Sequence, residues 1–278
     1  MSSVRRARPW LGTIVEIRIE HADSVRAERA IEAAFAEIAT VHRLMSFHAD
    51  DGDLARLRCA RVGECLRVNA RTHEVLDWSL RIAQVSGGAF DPCVATMQVV
   101  RGALPLPHSE FVPDVDAGWR DIELLDGERV RLRRPLWIDL GGIAKGYAVD
   151  RAIEVLCAHG AMNACVNAGG DLRVCGPNAE RIEVRTADGI VFPAIELVDG
   201  ALATSASTGS QHLHGASKLA IDAGSTVSVA APTCIVADAL TKVVLAGGEC
   251  AHAALRAFDA HAWRHDSRRG WQSLGLVA

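Results

Sequence analysis

No stretch of this 278-residue chain is apolar for long enough to span a bilayer. Glu16, Arg18 and Glu20 interrupt the first candidate, and Lys242 divides the apolar segment around Val236 to Ala246. Charge of one sign is also missing: 30 Lys and Arg face 34 Asp and Glu, for a formal charge of -4. A protein that grips nucleic acid or an anionic membrane through bulk charge is therefore not expected. The eight cysteines contain no C-x-x-C pair and are expected as reduced, mostly buried thiols that act as small hydrophobes. Behind Arg5 and Arg6, the segment Pro9 to Glu16 has neither a continuous signal-peptide core nor a cleavage site, so a cytoplasmic protein is expected. Internal repeats, low-complexity tracts and Pro-, Gly- or Ser-rich linkers are lacking too. One unit over residues 1–278 is the expectation, with 49% hydrophobic residues to build a sizeable core.

What is present is a mixed α+β pattern. Val15, Ile17 and Ile19 alternate with charged residues and predict a strand over Thr13 to Ile19. Ile31, Ala34, Phe35, Ile38, Val41 and Met45 form a helical stripe, with Asp23 or Ser24 as the N-cap. A second helix is predicted over Arg71 to Val85, entered from Asn69 and stopped by Gly87-Gly88. Four prolines keep Phe90 to Pro113 from being regular for long. Leu136 to Leu140, the Gly141-Gly142 pair and the following apolar residues up to Gly160 read as strand, turn and helix. Further strands are expected at Asn163 to Asn167, Arg181 to Arg185, Ile190 to Leu197 and Thr226 to Ala230, and a last helix from Cys234 to Leu245.

Three glycine pairs each stand beside a carboxylate: Asp139 with Gly141-Gly142, Asp171 after Gly169-Gly170, and Asp91 after Gly87-Gly88. Glycines let backbone amides approach a phosphate, a helix N-terminus adds positive potential, and Lys145 can meet an anionic oxygen. Neither the Walker phosphate loop nor the G-x-G-x-x-G fingerprint is present, and a tight turn with a solvated lysine is the alternative reading. Asp238, with Thr241 and Lys242 three and four residues on, can hold a hard divalent cation or simply form a helical ion pair. His212 and His214, alternate residues of a Ser- and Gly-bearing loop, could bind metal, but without other ligands at recognisable spacing they read as a solvated loop; Arg131 to Arg134 and Arg268-Arg269 read as solvated surface.

In this order the segments resemble the ApbE family of FAD:protein FMN transferases. The matching pieces are Leu11-Gly12-Thr13, Met45 to His48, Gly87 to Pro92, Asp139 to Asp150, Asn167 to Asp171, Ala203-Thr204-Ser205 and Val229 to Leu240. The resemblance implies an α+β, T-fold-related unit of two interlocked lobes with a cleft between them. It also implies magnesium-dependent transfer of FMN from FAD to a Thr or Ser hydroxyl of an acceptor protein, with release of AMP. Leu11, His48, Ala89, Phe90, Asp91, Asp139, Lys145 and Ile221 then fall at positions that line the FAD site. The metal would be held by the backbone carbonyl of Gly142, the side chain of Asp238 and a third ligand from the turn after it, Thr241. Asp238, Lys242 and Asp139 would carry the chemistry.

The chain departs from the family pattern at several of these places. Lys242 stands where the pattern has Thr, Leu219 and Ala223 where it has His and Pro, His48 where it has an aromatic residue, and Leu11 where it has Met. Two readings follow: a working transferase in which Thr241 takes over as metal ligand, or a FAD-binding relative with lost or altered activity in which the Lys242 ammonium sits in the metal's place.

Overall fold

The computed structural model describes residues 2–184, 186, 195–207, 212–221, 223–266 and 269–275. The chain opens with strands β1 (Ser2–Trp10) and β2 (Thr13–His21) and helix α1 (Ser24–Met45). Residues 46–143 carry α2 (Asp53–Arg58), β3 (Cys65–Arg67), α3 (Ala70–Val85), α4 (Ala95–Val100), β4 (Ile122–Leu125) and β5 (Arg129–Leu132). Helix α5 (Ala144–Ala158) follows, then β6 (Asn163–Ala168), β7 (Asp171–Cys175), β8 (Glu180–Ile182), β9 (Ile195–Leu197), β10 (Ala201–Ala206) and β11 (Ser225–Ala231). The chain closes with α6 (Cys234–Ala246), α7 (Glu249–Ala257), β12 (His261–Asp266) and β13 (Gly270–Leu274).

Eight strands form one antiparallel sheet in the order β1-β2-β6-β7-β10-β11-β12-β13. The order ββααββ occurs twice in it, as β1-β2-α1-α5-β6-β7 and as β10-β11-α6-α7-β12-β13. The halves join where β7 pairs with β10, Arg173 opposite Ala201 and Leu172 opposite Leu202. Residues 46–143 are inserted between the two helices of the first half. In the second half only Gly247 and Gly248 separate them. The duplication lies in the order of elements, which is why no repeat shows in the residues themselves.

Helix α1 packs on α5, and α5 on α6. The predicted stripe of α1 is buried from Ile31 to Met45, and the Asp23 carboxylate accepts the N–H groups of Val25 and Arg26 as N-cap. Each fully buried Ile or Phe of that stripe contributes about 1.5–3 kcal/mol. Helices α5 and α6 approach so closely that a Cβ on Gly146 would lie 2.2 Å from the Cys234 carbonyl oxygen. Thr233, which precedes α6, makes no side-chain cap. Asp150 of α5 supplies one instead, accepting from Cys234 N at 2.9 Å and Ile235 N at 2.8 Å while Arg173 donates to it at 2.8 Å. That explains an aspartate at the end of the Asp139 to Asp150 motif.

Helix α3 is entered from Asn69 as expected. Several expectations need correction. Leu136 to Leu140 is not a strand: Leu136, Trp137, Ile138 and Leu140 are buried, and the Asp139 N–H donates to Pro92 O at 2.8 Å rather than to a sheet. A continuous apolar run reports burial on all sides, not pairing. The proline-bearing segment does contain a short helix, α4, entered from a 3-10 turn at Pro92–Val94. Two of the eight thiols, Cys93 and Cys234, are buried, and Cys65 is exposed. Arg131 is not simply solvated, since it donates twice to Glu123 at 2.8 Å across the β4–β5 pair. Arg185, residues 190–194, Asp222 and Arg268 lie outside the described residues. No helix among the described residues is long and apolar enough to cross a membrane.

Candidate active site

The β1–β2 hairpin turns on Leu11 (φ 56°) and Gly12 (φ 73°), both left-handed, as a two-residue hairpin turn requires. Leu11 lines a cavity of about 290 Å³ together with Met45, Phe47 and His48 from the end of α1, and Ala144 and Lys145 from the start of α5. A second cavity of about 240 Å³ is lined by Ala89, Phe90, Asp91, Gly142, His212, Ile221 and Lys242. Asp139 and Gly141 line both. The loop that connects the apolar run to α5 is therefore the shared wall, and the first two residues of α5, Ala144 and Lys145, line the first cavity.

Local chemistry shapes this wall. The Asp139 carboxylate accepts the N–H of Gly141 at 2.9 Å and so folds the turn over itself. Loss of water around Asp139 raises its carboxyl above the ordinary range, against the Gly141 N–H and the nearby His48, Gln98 and Lys242. On the far side of the second cavity, residues 212–221 form a small hairpin rather than the expected solvated loop. Leu213 bridges Ala220, and Ile221 N–H donates to His212 O at 2.9 Å. It is fastened to the insertion by Gly215 N–H to Ala89 O at 2.9 Å and Lys218 Nζ to Asp91 at 3.1 Å. A Cβ on Gly215 would come within 2.2 Å of Gly88 O, so only glycine permits that approach.

Beneath the wall lie two fully buried carboxylates, Asp171 and Asp238, each paired with a lysine. Lys145 donates to Asp171. Lys242 donates to Asp238 Oδ1 at 2.5 Å, to the Asp238 carbonyl at 3.2 Å and to Ser205 Oγ at 3.1 Å. The other Asp238 oxygen accepts the N–H of Gly146 at 3.1 Å, which places the carboxylate on the first turn of α5. Burial alone would raise the Asp238 carboxyl, but Lys242 and Lys145 outweigh it and hold it below the usual range. Asp171 goes the other way, raised by burial and by the neighbouring Asp238 charge. Burial works against the Lys145 ammonium, yet Asp238 and Asp171 overcome it and raise that group above its ordinary value. His212 Nδ1 is buried with no hydrogen-bond partner among the described residues. Burial, then the charges of Lys242 and Lys145, lower that imidazole to about 4, so the ring is neutral near pH 7.

All eight residues expected to line a cofactor site face one of the two cavities, and so does Gly142. Asp238 and Thr241 do not. They lie under the floor, and the Thr241 hydroxyl is engaged with the Asp238 carbonyl at 2.6 Å and Ser205 Oγ at 2.8 Å. Among the described residues no group of three or more His, Cys, Asp or Glu is arranged to hold a metal ion. A magnesium ion asks for six oxygens in a near-octahedral shell. With Lys242 on one Asp238 oxygen, Gly146 on the other and Thr241 turned away, the donor set as it stands does not fit one. Sequence reasoning missed Asp171 as the partner of Lys145, Ser205 as a partner of Lys242, and His212 as a cavity residue. The first two ended motifs already singled out, Asn167 to Asp171 and Ala203 to Ser205, whereas the only signal at His212 was its alternation with His214, which the solvated-loop reading outweighed.

The ApbE family model matches residues 11–262, and the chain belongs to the ApbE family. Among curated relatives, the FAD:protein FMN transferase of Treponema pallidum is 26% identical over 185 residues, covering 62% of this chain and 51% of the relative. That of Haemophilus influenzae is 28% identical over 185 residues, covering 61% and 54%. The chain spans about half the length of the curated relatives it matches. Among solved structures, the apo flavinyl transferase ApbE of Pseudomonas stutzeri superposes with a TM-score of 0.86 at 21% identity, over 98% of this chain and 95% of that one. The flavin transferase ApbE of Vibrio cholerae gives 0.82 at 24% identity, over 98% and 96%. The α+β fold is thus that of the ApbE flavin transferases.

Proposed function

We propose that this chain, read as one unit over residues 1–278, is a FAD:protein FMN transferase that moves FMN from FAD to a Thr or Ser hydroxyl of an acceptor protein. The observation that carries the reading is the pair of cavities sharing the Asp139 to Gly141 wall, with a lysine on each side. A dinucleotide is two ring-bearing halves joined by a diphosphate. One half suits each cavity, and the diphosphate then crosses the glycine turn at the N-terminal end of α5, where backbone amides and helix dipole favour an anion.

The transfer balances simply. The acceptor hydroxyl oxygen attacks the phosphorus of the FMN half, its proton passes to the Asp139 carboxylate, the bond to the AMP oxygen breaks, and AMP leaves. A carboxyl raised by desolvation is a stronger base than one in water, which suits Asp139 to that role. Lys145 and Lys242 stand where charge grows on the leaving phosphate. Asp238 acts by holding Lys242 and the first turn of α5. No step passes through a metal, because the donors around Asp238 do not fit one.

The test is a fluorescence titration with FAD, followed by chromatographic detection of AMP on incubation with FAD and a Thr-bearing acceptor protein. FAD binding with AMP release and a flavin-bearing acceptor is the expected result. Absence of FAD affinity would end the proposal. A second reading, a flavin-binding relative with lost or altered activity, is favoured by Lys242 and by Leu219, which replaces the histidine of the family pattern. It predicts FAD binding without transfer.

A further inference from the structure

We propose that the ε-ammonium of Lys242 is the resident cation of this site and takes the place of a divalent metal there, an inference that rests on the flavin-dinucleotide reading above. An ammonium has three protons, and Lys242 directs hydrogen bonds to three oxygens: Asp238 Oδ1, the Asp238 carbonyl and Ser205 Oγ. These acceptors come from one turn of α6 and from β10, so the seat is built by two elements and not by an i, i+4 pair alone. The Lys242 side chain is only 18% exposed.

Its stem also takes the space beside the glycine turn. A Cβ on Gly142 would lie 3.3 Å from Lys242 Cε and 3.6 Å from Cγ. An ion placed between Gly142 and Asp238 would meet that stem, and beside the ammonium it would meet a like charge. The remaining donors are committed, Asp238 Oδ2 to Gly146 N–H and the Thr241 hydroxyl to the Asp238 carbonyl and Ser205. Charge balance agrees: Asp171, Asp238, Lys145 and Lys242 sum to zero. Lys242 lines one cavity and Lys145 the other, so a diphosphate laid across the turn between them has an ammonium on either side.

The decisive experiment needs no flavin. Mn2+ is titrated into the full chain and the free ion is followed by paramagnetic resonance. No binding at the Asp238 site is expected; stoichiometric binding that Asp238→Asn abolishes would overturn the inference. A second measurement compares FAD affinity in EDTA and in excess magnesium. Equal affinity is expected for the chain as it stands, and for Lys242→Thr an affinity about tenfold weaker in EDTA that magnesium restores. A Lys242→Thr variant that binds FAD in EDTA as tightly as the parent would also sink the inference. Should FAD fail to bind under any condition, the transferase reading falls, while the Mn2+ titration still decides the question of the cation.

Discussion

The two ββααββ halves of the sheet use the same order of elements to different ends. In the second half α6 and α7 are joined by Gly247 and Gly248 alone, and α6 supplies Asp238 and Lys242 from a largely buried helix. In the first half the join between α1 and α5 expands into residues 46–143, which bring Phe47, His48, Ala89 to Asp91 and Asp139 to the cavities. The shared scaffold thus fixes charge at the N-terminal turn of α5, and the insertion builds most of the walls around it. Side chains at the α5–α6 junction should therefore govern stability, and those on the walls should govern chemistry.

The sharpest way to break that division is Gly146→Ala, whose Cβ would meet the Cys234 carbonyl at 2.2 Å and Asp238 Cβ at 2.9 Å. Neither is a flexible end that can yield. A loss of about 3 kcal/mol or more is expected in urea unfolding; an unchanged midpoint would show that α5 and α6 are not held as described. Next comes Asp150→Ala, which uncaps α6 and strands Arg173. About 3 kcal/mol should be lost, and Asp150→Asn should restore part of it because it keeps an acceptor for the helix N–H groups. On the wall, Asp139→Asn should behave in the opposite way. Its carboxylate is disfavoured by its surroundings, so stability should hold or rise slightly, while transfer and AMP release fall about a hundredfold. Equal losses of stability and activity would erase the contrast between junction and wall.

The smallest effect concerns His212. Its folded value of about 4 lies below the ordinary 6.5, so between these two pH values the unfolded chain takes up a proton that the folded one does not. Its contribution is complete above pH 6.5 and is lost as pH falls towards 4. Lys242 and Lys145 oppose its charging and Asp238 favours it. With the ring partly exposed, about 2 kcal/mol is the most this adds. His212→Gln should flatten the stability profile in that window by a corresponding amount; a parallel profile would show that the ring titrates normally.

Much of this was legible in the residues. The stripe and Asp23 cap of α1, the Asn69 entry to α3 and the glycine stop of α3 are local signals, and each appears where its spacing placed it. The glycine turns beside Asp91 and Asp139 were legible for the same reason. What could not be read depends on partners distant in the chain. β1 was missed because charge masks its alternation: Arg5, Arg6 and Arg8 on this edge strand ion-pair with Glu16 of β2 and with Glu28 and Glu32 of α1, and charge on an edge discourages stray pairing. Leu136 to Leu140 looked like a strand because burial and pairing leave the same apolar run. The Lys145–Asp171 pair and the His212 hairpin exist only once the halves and the insertion close on each other.

The central claim is that FAD lays its diphosphate over the Gly141-Gly142 turn, between Lys145 and Lys242. A crystal structure of the chain soaked with FAD tests this most directly. The phosphates should lie at the N-terminal end of α5, with one ammonium on each side. Phosphates found away from that turn, with neither ammonium beside them, would contradict it.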